Sequence, residues 1–222
     1  MDLKLDEGSF SSICDLLGEQ DADLKNIIVQ FGYPPYWSRK PGFETLIHII
    51  LEQQVSLASA KSALNKLQAR LGKITPANVA SLSDEELKAC YFSRQKIQYA
   101  RHLAKALLTK HLNLKKLALE PDNAVKVSLK ELPGIGDWTA DIYLMMALHR
   151  PDCFPLGDIA LLKSLKDIKN LPKDTLREDL QVISDTWKPY RTVAAYLLWH
   201  SYLSKKRQSA VSYQLSASKR DL

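Results

Sequence analysis

The residues best suited to chemistry lie in two short stretches of the second half of the chain. The first is Leu132-Pro-Gly-Ile-Gly-Asp-Trp-Thr-Ala140, and the second is Phe154-Pro-Leu-Gly, which leads directly to Asp158. Gly134 and Gly136 can adopt backbone angles closed to other residues and let a ligand approach the main chain. The first stretch therefore predicts a tight turn that joins two helices.

The helix after this turn is predicted to begin near Asp137 and to offer its first backbone amides to an anion. These amides lack partners within the helix, and the helix dipole makes them attractive to negative charge. Such contacts touch phosphate rather than base edges, so they do not depend on base sequence. The residues that we expect to contact phosphate are Gly134, Ile135, Gly136 and Thr139. An ordinary turn between two packed helices is the alternative.

Asp158 supplies a lone carboxylate just after an apolar segment. Together with a backbone site for phosphate, one placed acid suggests an enzyme that acts on nucleic acid. The structural alternative is a cap on the helix that begins at Ile159, and one residue can perform both roles. Among nearby aspartates, we interpret Asp137 as a residue that favours the helix dipole, Asp141 as a solvent-facing helix residue and Asp152 as a loop residue.

The elements that must position these residues are predicted to be helices. Apolar residues recur at helical spacing, as in Phe43, Leu46 and Ile50, and clear alternating strand patterns are absent. Proline and glycine punctuate the chain and divide it into about ten short helices. The sequence therefore predicts an all-α fold, with a late helix that begins after Pro189.

Composition narrows the class of protein without defining it. The chain has 222 residues, of which 45% are apolar, and its formal net charge of +6 permits nucleic-acid binding without requiring it. The three cysteines are far apart and form no CxxC pair, which argues against a zinc site, an iron–sulfur cluster and a disulfide framework.

The sequence also shows no signal peptide and no apolar run long enough to cross a membrane. We therefore expect an intracellular protein without a membrane partner, in the cytoplasm and nucleoid of a bacterium or in the nucleus of a eukaryote. Positions 204–222 are rich in Ser, Lys and Arg and poor in apolar residues. This composition predicts a flexible basic tail after a domain that spans 1–203.

Four blocks of the sequence resemble the helix–hairpin–helix DNA glycosylases, and most closely the 3-methyladenine-DNA glycosylase II type. Leu132–Ala140 resembles the signature hairpin of that superfamily, and Asp158 falls where the family keeps its catalytic aspartate. The other blocks are Ile50-Leu-Glu-Gln-Gln-Val-Ser56, Phe154–Ala160, and the segment from Trp187 to Trp199. The resemblance implies two helical lobes, a hairpin over 123–149, and an active-site cleft between the lobes with Asp158 facing the hairpin.

By this resemblance, the protein is expected to be a monomer that flips an alkylated purine out of double-stranded DNA and releases it, leaving an abasic site. An alkylated base already carries positive charge and leaves as a neutral molecule, so a carboxylate that faces the developing sugar cation is the useful group. Related enzymes that also cut the strand have a lysine where this chain has Trp138. Tryptophan cannot form a Schiff base, so the resemblance implies a monofunctional enzyme without an organic cofactor.

The resemblance also assigns residues to the base pocket and to the DNA interface. The expected pocket residues are Trp138, Trp199, Ile142 and Ile159. Aromatic faces there attract a cationic base, although core packing is the alternative for Trp138. Of Gln53, Gln54 and Ser56, which are expected to contact DNA, Gln54 is our choice for the plug that fills the gap left by the flipped nucleotide. A hydrogen bond to a helix end is the alternative for both glutamines.

Two further sites are expected near the hairpin and in the segment Ser93-Arg-Gln-Lys96. Arg94 and Lys96 could hold a second phosphate, and a solvated surface turn is the alternative. The resemblance implies a structural Na⁺ or K⁺ on the backbone carbonyls of Lys130, Leu132 and Ile135, and no side-chain metal site is visible.

Three rival functions remain open at this point. The first is a glycosylase of the same superfamily for oxidised, deaminated or mismatched bases, because substrate choice depends on pocket shape. The second is a DNA-binding protein that keeps the hairpin but does not excise bases. The third is a helical scaffold unrelated to nucleic acid, which would lack the salt-dependent affinity for duplex DNA that phosphate contacts impose.

Overall fold

The protein is all-α, as the sequence predicts. The computed structural model describes residues 5–218, and within them it contains thirteen helices and no strand. The excess over the expected number comes from helices of four to six residues, which are too short to show an apolar period. The helices are α1 (Glu7–Gln20), α2 (Ala22–Phe31), α3 (Phe43–Glu52), α4 (Leu57–Leu71), α5 (Pro76–Ser81), α6 (Asp84–Ala89), α7 (Arg94–Leu108), α8 (Leu114–Leu117), α9 (Asp122–Lys130), α10 (Asp137–Met146), α11 (Ile159–Ile168), α12 (Arg177–Asp185) and α13 (Arg191–Ser218).

The described residues divide into two compact units. The hairpin unit, Ser38–His149, contains α3 to α10. The aspartate unit is discontinuous and combines 5–37 with 150–218, so that α1 and α2 belong with α11, α12 and α13. Within it, α13 packs against each of the other four helices.

The core of the hairpin unit is built on α3 and α10. Seven of the ten residues of α3 and eight of the ten residues of α10 are buried, so neither helix has the wide polar face of a surface helix. The two helices pack against each other, and α3 also packs against α4 and α7. As a result, the helix that follows the hairpin turn is fixed along almost its whole length.

The aspartate unit is built around α13, which begins at Arg191, just after Pro189 as predicted. Residues 192–198 are all fully buried, and Thr192 Oγ1, one of the two hydroxyls among them, donates to the carbonyl of Arg150 at 2.7 Å. Arg191 holds the loop before Asp158, because its Nε lies 2.7 Å from Asp152 Oδ1. The predicted loop position of Asp152 is confirmed.

The predicted end of the domain at 203 differs from the observed secondary structure. Helix α13 continues without a break to Ser218, so 204–218 are helical, and 219–222 lie outside the described residues. The physical reason is that 204–218 contain neither proline nor glycine, and a polar composition alone does not end a helix. None of the helices in the described part of the chain is long and apolar enough to span a membrane.

A half-buried ionic cluster joins the two sequence segments of the aspartate unit. Asp21 caps α2, and its carboxylate accepts hydrogen bonds from Lys169 Nζ at 2.7 Å and from Trp187 Nε1 at 2.8 Å. Burial alone would raise the pKa of Asp21, but the hydrogen bonds from Lys169 and Trp187 outweigh it and hold this pKa below its usual value. The ionised carboxylate is therefore part of the folded state.

Acid should weaken the aspartate unit through Asp21. Because the folded-state pKa is lowered, the stabilisation is complete above the unfolded pKa of about 3.9 and is lost as the pH falls through the folded-state pKa. We expect Asp21→Asn, which keeps a good helix cap, to be less stable than wild type at neutral pH in urea unfolding. This difference should shrink below about pH 4. A difference that is the same at both pH values would contradict the ionic contribution.

Candidate active site

The turn between α9 and α10 has the tight geometry that the two glycines predict. The amide of Ile135 donates to the carbonyl of Leu132 at 3.1 Å, and Gly134 has a left-handed φ of +88°. Gly136 is extended and is the residue immediately before α10, and no side chain caps the start of that helix. The first turn of α10 is therefore open to an anion from outside the helix.

The two glycines of the turn are required for different physical reasons. A Cβ at Gly134 would collide with the ring of Tyr99 on α7, and a side chain is also disfavoured there by the positive φ. A Cβ at Gly136 would have no atom within 4 Å. Gly134 is therefore required by the fold, whereas the space beside Gly136 is open to a ligand.

Gln53 supports the turn from α3. Its Nε2 donates to the carbonyl of Gly134 at 2.8 Å and to Thr139 Oγ1 at 2.9 Å. The Thr139 side chain is only 1% exposed. Both side chains therefore help to hold the hairpin, and their predicted contact with DNA stays a prediction. Their pairing spans more than 80 positions, so no local pattern could reveal it.

Two acidic residues of α10 are paired with lysines of α9. Asp137 Oδ1 lies 2.7 Å from Lys130 Nζ, and this hydrogen bond lowers the pKa of Asp137. Asp141 Oδ1 lies 2.8 Å from Lys126 Nζ. The prediction that Asp141 faces solvent is wrong, because Asp141 is 5% exposed on a helix that is buried on nearly all sides. A buried charge needs such a partner.

The residues after α3 form an exposed turn with one strained backbone position. Gln54 has a φ of +58° and an exposed side chain. A left-handed conformation costs a residue other than glycine roughly 1–2 kcal/mol. This strain makes Gln54 a candidate functional residue. Ser56 caps α4 by accepting a hydrogen bond from the amide of Ser59 at 3.1 Å.

The two predicted cations of the second phosphate site have different environments. Lys96 Nζ donates to the carbonyl of Leu51 at 2.7 Å, and burial lowers the pKa of Lys96. It therefore satisfies the C-terminal end of α3. Arg94 is the first residue of α7 and is exposed, while Ser93 caps that helix.

Asp158 is the N-cap of α11, so the helix-capping role that the sequence offered as an alternative is present in the structure. Its Oδ1 accepts hydrogen bonds from the amide of Leu161 at 2.8 Å and from Trp199 Nε1 at 3.2 Å. The side chain is half-buried, and the next residue, Ile159, is 86% exposed. A large apolar side chain at such exposure beside a placed carboxylate is available to a ligand.

Trp199 belongs to an aromatic cluster with Tyr196 and Trp37, neither of which the sequence pattern assigned to a site. Its ring stacks on Tyr196 with centroids 5.8 Å apart, and Trp37 meets it edge-on at 6.2 Å. The hydroxyl of Tyr196 donates to the carbonyl of Trp37 at 2.7 Å. Tyr196 is visible as a neighbour of Trp199 at helical spacing, whereas Trp37 lies more than 150 residues away and carries no local signal.

The remaining predicted pocket residues lie on α10 in the hairpin unit. Trp138 is half-buried in the first turn of this helix, and Ile142 is buried one turn later. Trp138 and Ile142 thus belong to the hairpin unit, while Asp158, Ile159 and Trp199 belong to the aspartate unit.

Comparison with known proteins assigns the chain to a family. Residues 47–190, well over half of the chain, match the family model described as HhH-GPD superfamily base excision DNA repair protein, and the chain belongs to this family. The matched range contains the hairpin, the exposed turn at Gln54 and Asp158.

Individual relatives carry more specific names. The chain is 28% identical to DNA-3-methyladenine glycosylase 1 of Schizosaccharomyces pombe over 186 residues, which cover 81% of this chain and 82% of that protein. It is 29% identical to DNA-3-methyladenine glycosylase 2 of Escherichia coli over 182 residues, which cover 73% of this chain and 60% of that protein. A solved structure of the Schizosaccharomyces pombe 3-methyladenine DNA glycosylase in complex with abasic DNA has a TM-score of 0.79 and 25% identity, and covers 85% of this chain and 95% of that chain.

Proposed function

We propose that this protein is a monofunctional DNA glycosylase that hydrolyses the N-glycosidic bond of alkylated purines, chiefly 3-methyladenine-like lesions, in duplex DNA. It leaves an abasic site for the later steps of base excision repair. The observation that carries the proposal is Asp158, a half-buried carboxylate oriented by two donors at the position where the family keeps its catalytic aspartate. The names of the similar proteins support the same substrate class.

Asp158 provides the electrostatic part of the reaction. Breaking the bond between base and sugar builds positive charge on the sugar, and a fixed carboxylate stabilises this charge without having to reorganise. An alkylated purine departs as a neutral base, so no general acid is needed. An amide and an indole donate to Asp158 Oδ1, and these two neutral donors help to orient the carboxylate.

The hairpin unit supplies the contact with the DNA backbone. The start of α10 has no side-chain cap, and the open space at Gly136 permits a phosphate to approach the main chain. Arg94 adds an exposed positive charge at the start of α7. Such contacts give affinity that is independent of sequence and falls with salt.

Gln54 is the residue that we assign to the gap left by the flipped nucleotide. Its side chain is exposed in the turn after α3, and its backbone has a left-handed φ of +58°. Gln53, by contrast, has its amide nitrogen engaged within the hairpin. Flipping costs a few kcal/mol and is easiest at a damaged pair, which adds to the selection of the lesion.

The base itself is recognised by aromatic and aliphatic side chains. Trp138 and Trp199 offer electron-rich faces, which attract a cationic base once water is excluded. Ile159 offers an exposed aliphatic surface beside Asp158, and Ile142 packs one turn after Trp138. Trp138 cannot form a Schiff base, so the DNA strand stays intact.

A monovalent cation on the carbonyls of Lys130, Leu132 and Ile135 would add positive charge to the phosphate-binding turn. The carbonyl oxygen of Leu132 already accepts the amide of Ile135, and its second lone pair remains chemically suited to a cation. Among the described residues, no group of three or more His, Cys, Asp or Glu side chains is placed to hold a metal ion.

The test is release of bases from methylated duplex DNA, identified by chromatography. We expect release of 3-methyladenine, and we expect the strand to break only after alkali or heat cleaves the abasic site. Duplexes with 7-methylguanine, 1,N6-ethenoadenine, hypoxanthine and 8-oxoguanine define the range of substrates. Release of 8-oxoguanine alone would refute the substrate class, and binding of all duplexes without release of any base would refute the enzymatic activity.

A further inference from the structure

We propose that Trp199 is a positioning residue, whose indole N–H fixes the plane of the Asp158 carboxylate while Tyr196 and Trp37 hold the indole in place. The proposal rests on the proposed function, because it assigns Asp158 the carboxylate that faces the sugar. It adds to the base-pocket role of Trp199 a second one, that of a donor that orients the catalytic group.

Two donors from different helices converge on one oxygen of Asp158. Asp158 Oδ1 accepts the amide of Leu161 at 2.8 Å, which is an ordinary helix-cap contact. One hydrogen bond fixes the position of an oxygen but leaves the carboxylate free to rotate about that contact. The second donor, Trp199 Nε1 at 3.2 Å, comes from a different helix and removes this freedom. Catalytic groups need placement to about 0.5 Å, and supporting hydrogen bonds provide it.

The indole of Trp199 is held by contacts with two aromatic rings. Its ring is stacked on Tyr196 with 28° between the planes, and Trp37 contacts it edge-on with 77° between the planes. Both centroid distances fall within the range of favourable aromatic pairs. The Tyr196 hydroxyl is bound to the backbone of Trp37, so the two rings that enclose Trp199 are joined to each other. An indole held in this way presents its N–H in one direction.

The aspartate unit contains a second indole–aspartate hydrogen bond, between Trp187 and Asp21. Asp21 is also a helix N-cap whose carboxylate accepts an indole N–H, from Trp187 at 2.8 Å. Trp187 is fully buried and Asp21 is paired with Lys169, so this arrangement serves the fold. Asp158 and Trp199 are both half-buried, next to the exposed Ile159. The same contact thus occurs once with a fully buried indole and an aspartate in an ion pair, and once with a half-buried indole next to an exposed apolar side chain.

The experiment compares Trp199→Phe with Trp187→Phe. Each variant keeps an aromatic ring and loses one indole–aspartate hydrogen bond, so Trp187→Phe controls for the stability that such a bond provides. We expect Trp199→Phe to lower the single-turnover rate of base release about 10- to 100-fold, with little change in duplex affinity. We expect Trp187→Phe to lower the unfolding midpoint and to leave the rate unchanged at a temperature where both variants are folded.

Site-specific replacement of Trp199 by benzothienylalanine separates the N–H from the ring. This analogue keeps the bicyclic ring and has sulfur in place of the N–H. A loss of rate as large as in Trp199→Phe supports positioning. A wild-type rate in the analogue, combined with weaker binding or a slower rate in Trp199→Phe, overturns it, because the ring area alone would then matter.

The hydrogen bond can also be observed without measuring activity. In protein labelled with ¹⁵N-tryptophan, we expect Asp158→Ala to shift the indole N–H signal of Trp199 and to speed its exchange with solvent, while the signal of Trp187 stays unchanged. An unshifted Trp199 signal overturns the proposal. Failure of the proposed function is a different result, namely no base release by the wild type, and the indole measurement remains valid in that case.

Discussion

Asp158→Asn should abolish most base release while leaving the fold and DNA binding intact. The amide oxygen of asparagine can accept the same hydrogen bonds from Leu161 and Trp199, and asparagine is as good an N-cap as aspartate. The substitution therefore removes the negative charge and little else. Loss of a preorganised electrostatic contact to a transition state typically costs about 100- to 1,000-fold in rate. Single-turnover release of 3-methyladenine from a duplex measures this effect.

The matched control for this prediction is Asp21→Asn. Asp21 is likewise an N-cap that accepts an indole N–H, but it is paired with Lys169 and its indole partner, Trp187, is fully buried. Asp21→Asn should lower stability and leave the rate of base release at the wild-type value. Duplex affinity of Asp158→Asn should be unchanged or higher, because removal of a negative charge does not weaken attraction to phosphate. Wild-type activity in Asp158→Asn would end the assignment of this residue.

Gly134→Ala should destabilise the hairpin unit by an amount on the order of 3 kcal/mol, from steric overlap and left-handed strain together. The new methyl group would overlap the ring of Tyr99, and the φ of +88° is unfavourable for alanine. The Gly134 carbonyl is also an acceptor for Gln53, so a shifted turn would lose this support. We expect a lower urea midpoint, faster amide exchange in α9 and α10, and loss of duplex binding.

Gly136→Ala tests ligand binding separately from the stability of the fold. No atom lies within 4 Å of a Cβ at this position, and the backbone is extended, so we expect almost unchanged stability. If a phosphate approaches the main chain here, duplex affinity should still fall and lose part of its salt dependence. Unchanged affinity in Gly136→Ala would place the phosphate elsewhere. The double variant Gly134→Ala with Tyr99→Ala tests the other glycine. It should lose the destabilisation that comes from steric overlap and keep the destabilisation that comes from the positive φ.

The sequence by itself determined the features that depend on a few neighbouring residues. The hairpin turn, the helix that starts at Asp137 and the position of Asp158 before α11 all follow from local rules for turns and helix ends. The family resemblance also depends on short blocks in a fixed order, and the match over 47–190 bears it out. The turns and helix ends were predictable because the interactions that stabilise them lie within one or two turns of the chain.

Tertiary structure decided which side chains are buried and which partners they have. The same local helical pattern fits an exposed or a buried Asp141, and only the packing of α10 and the pairing with Lys126 settle that it is buried. Gln53 supports the hairpin through a hydrogen bond to Thr139, which lies more than 80 positions away in the sequence. The enclosure of Trp199 by Trp37 likewise requires the first and last parts of the chain to form one unit. Contacts between distant segments depend on how whole helices pack, and no short stretch of sequence encodes that packing.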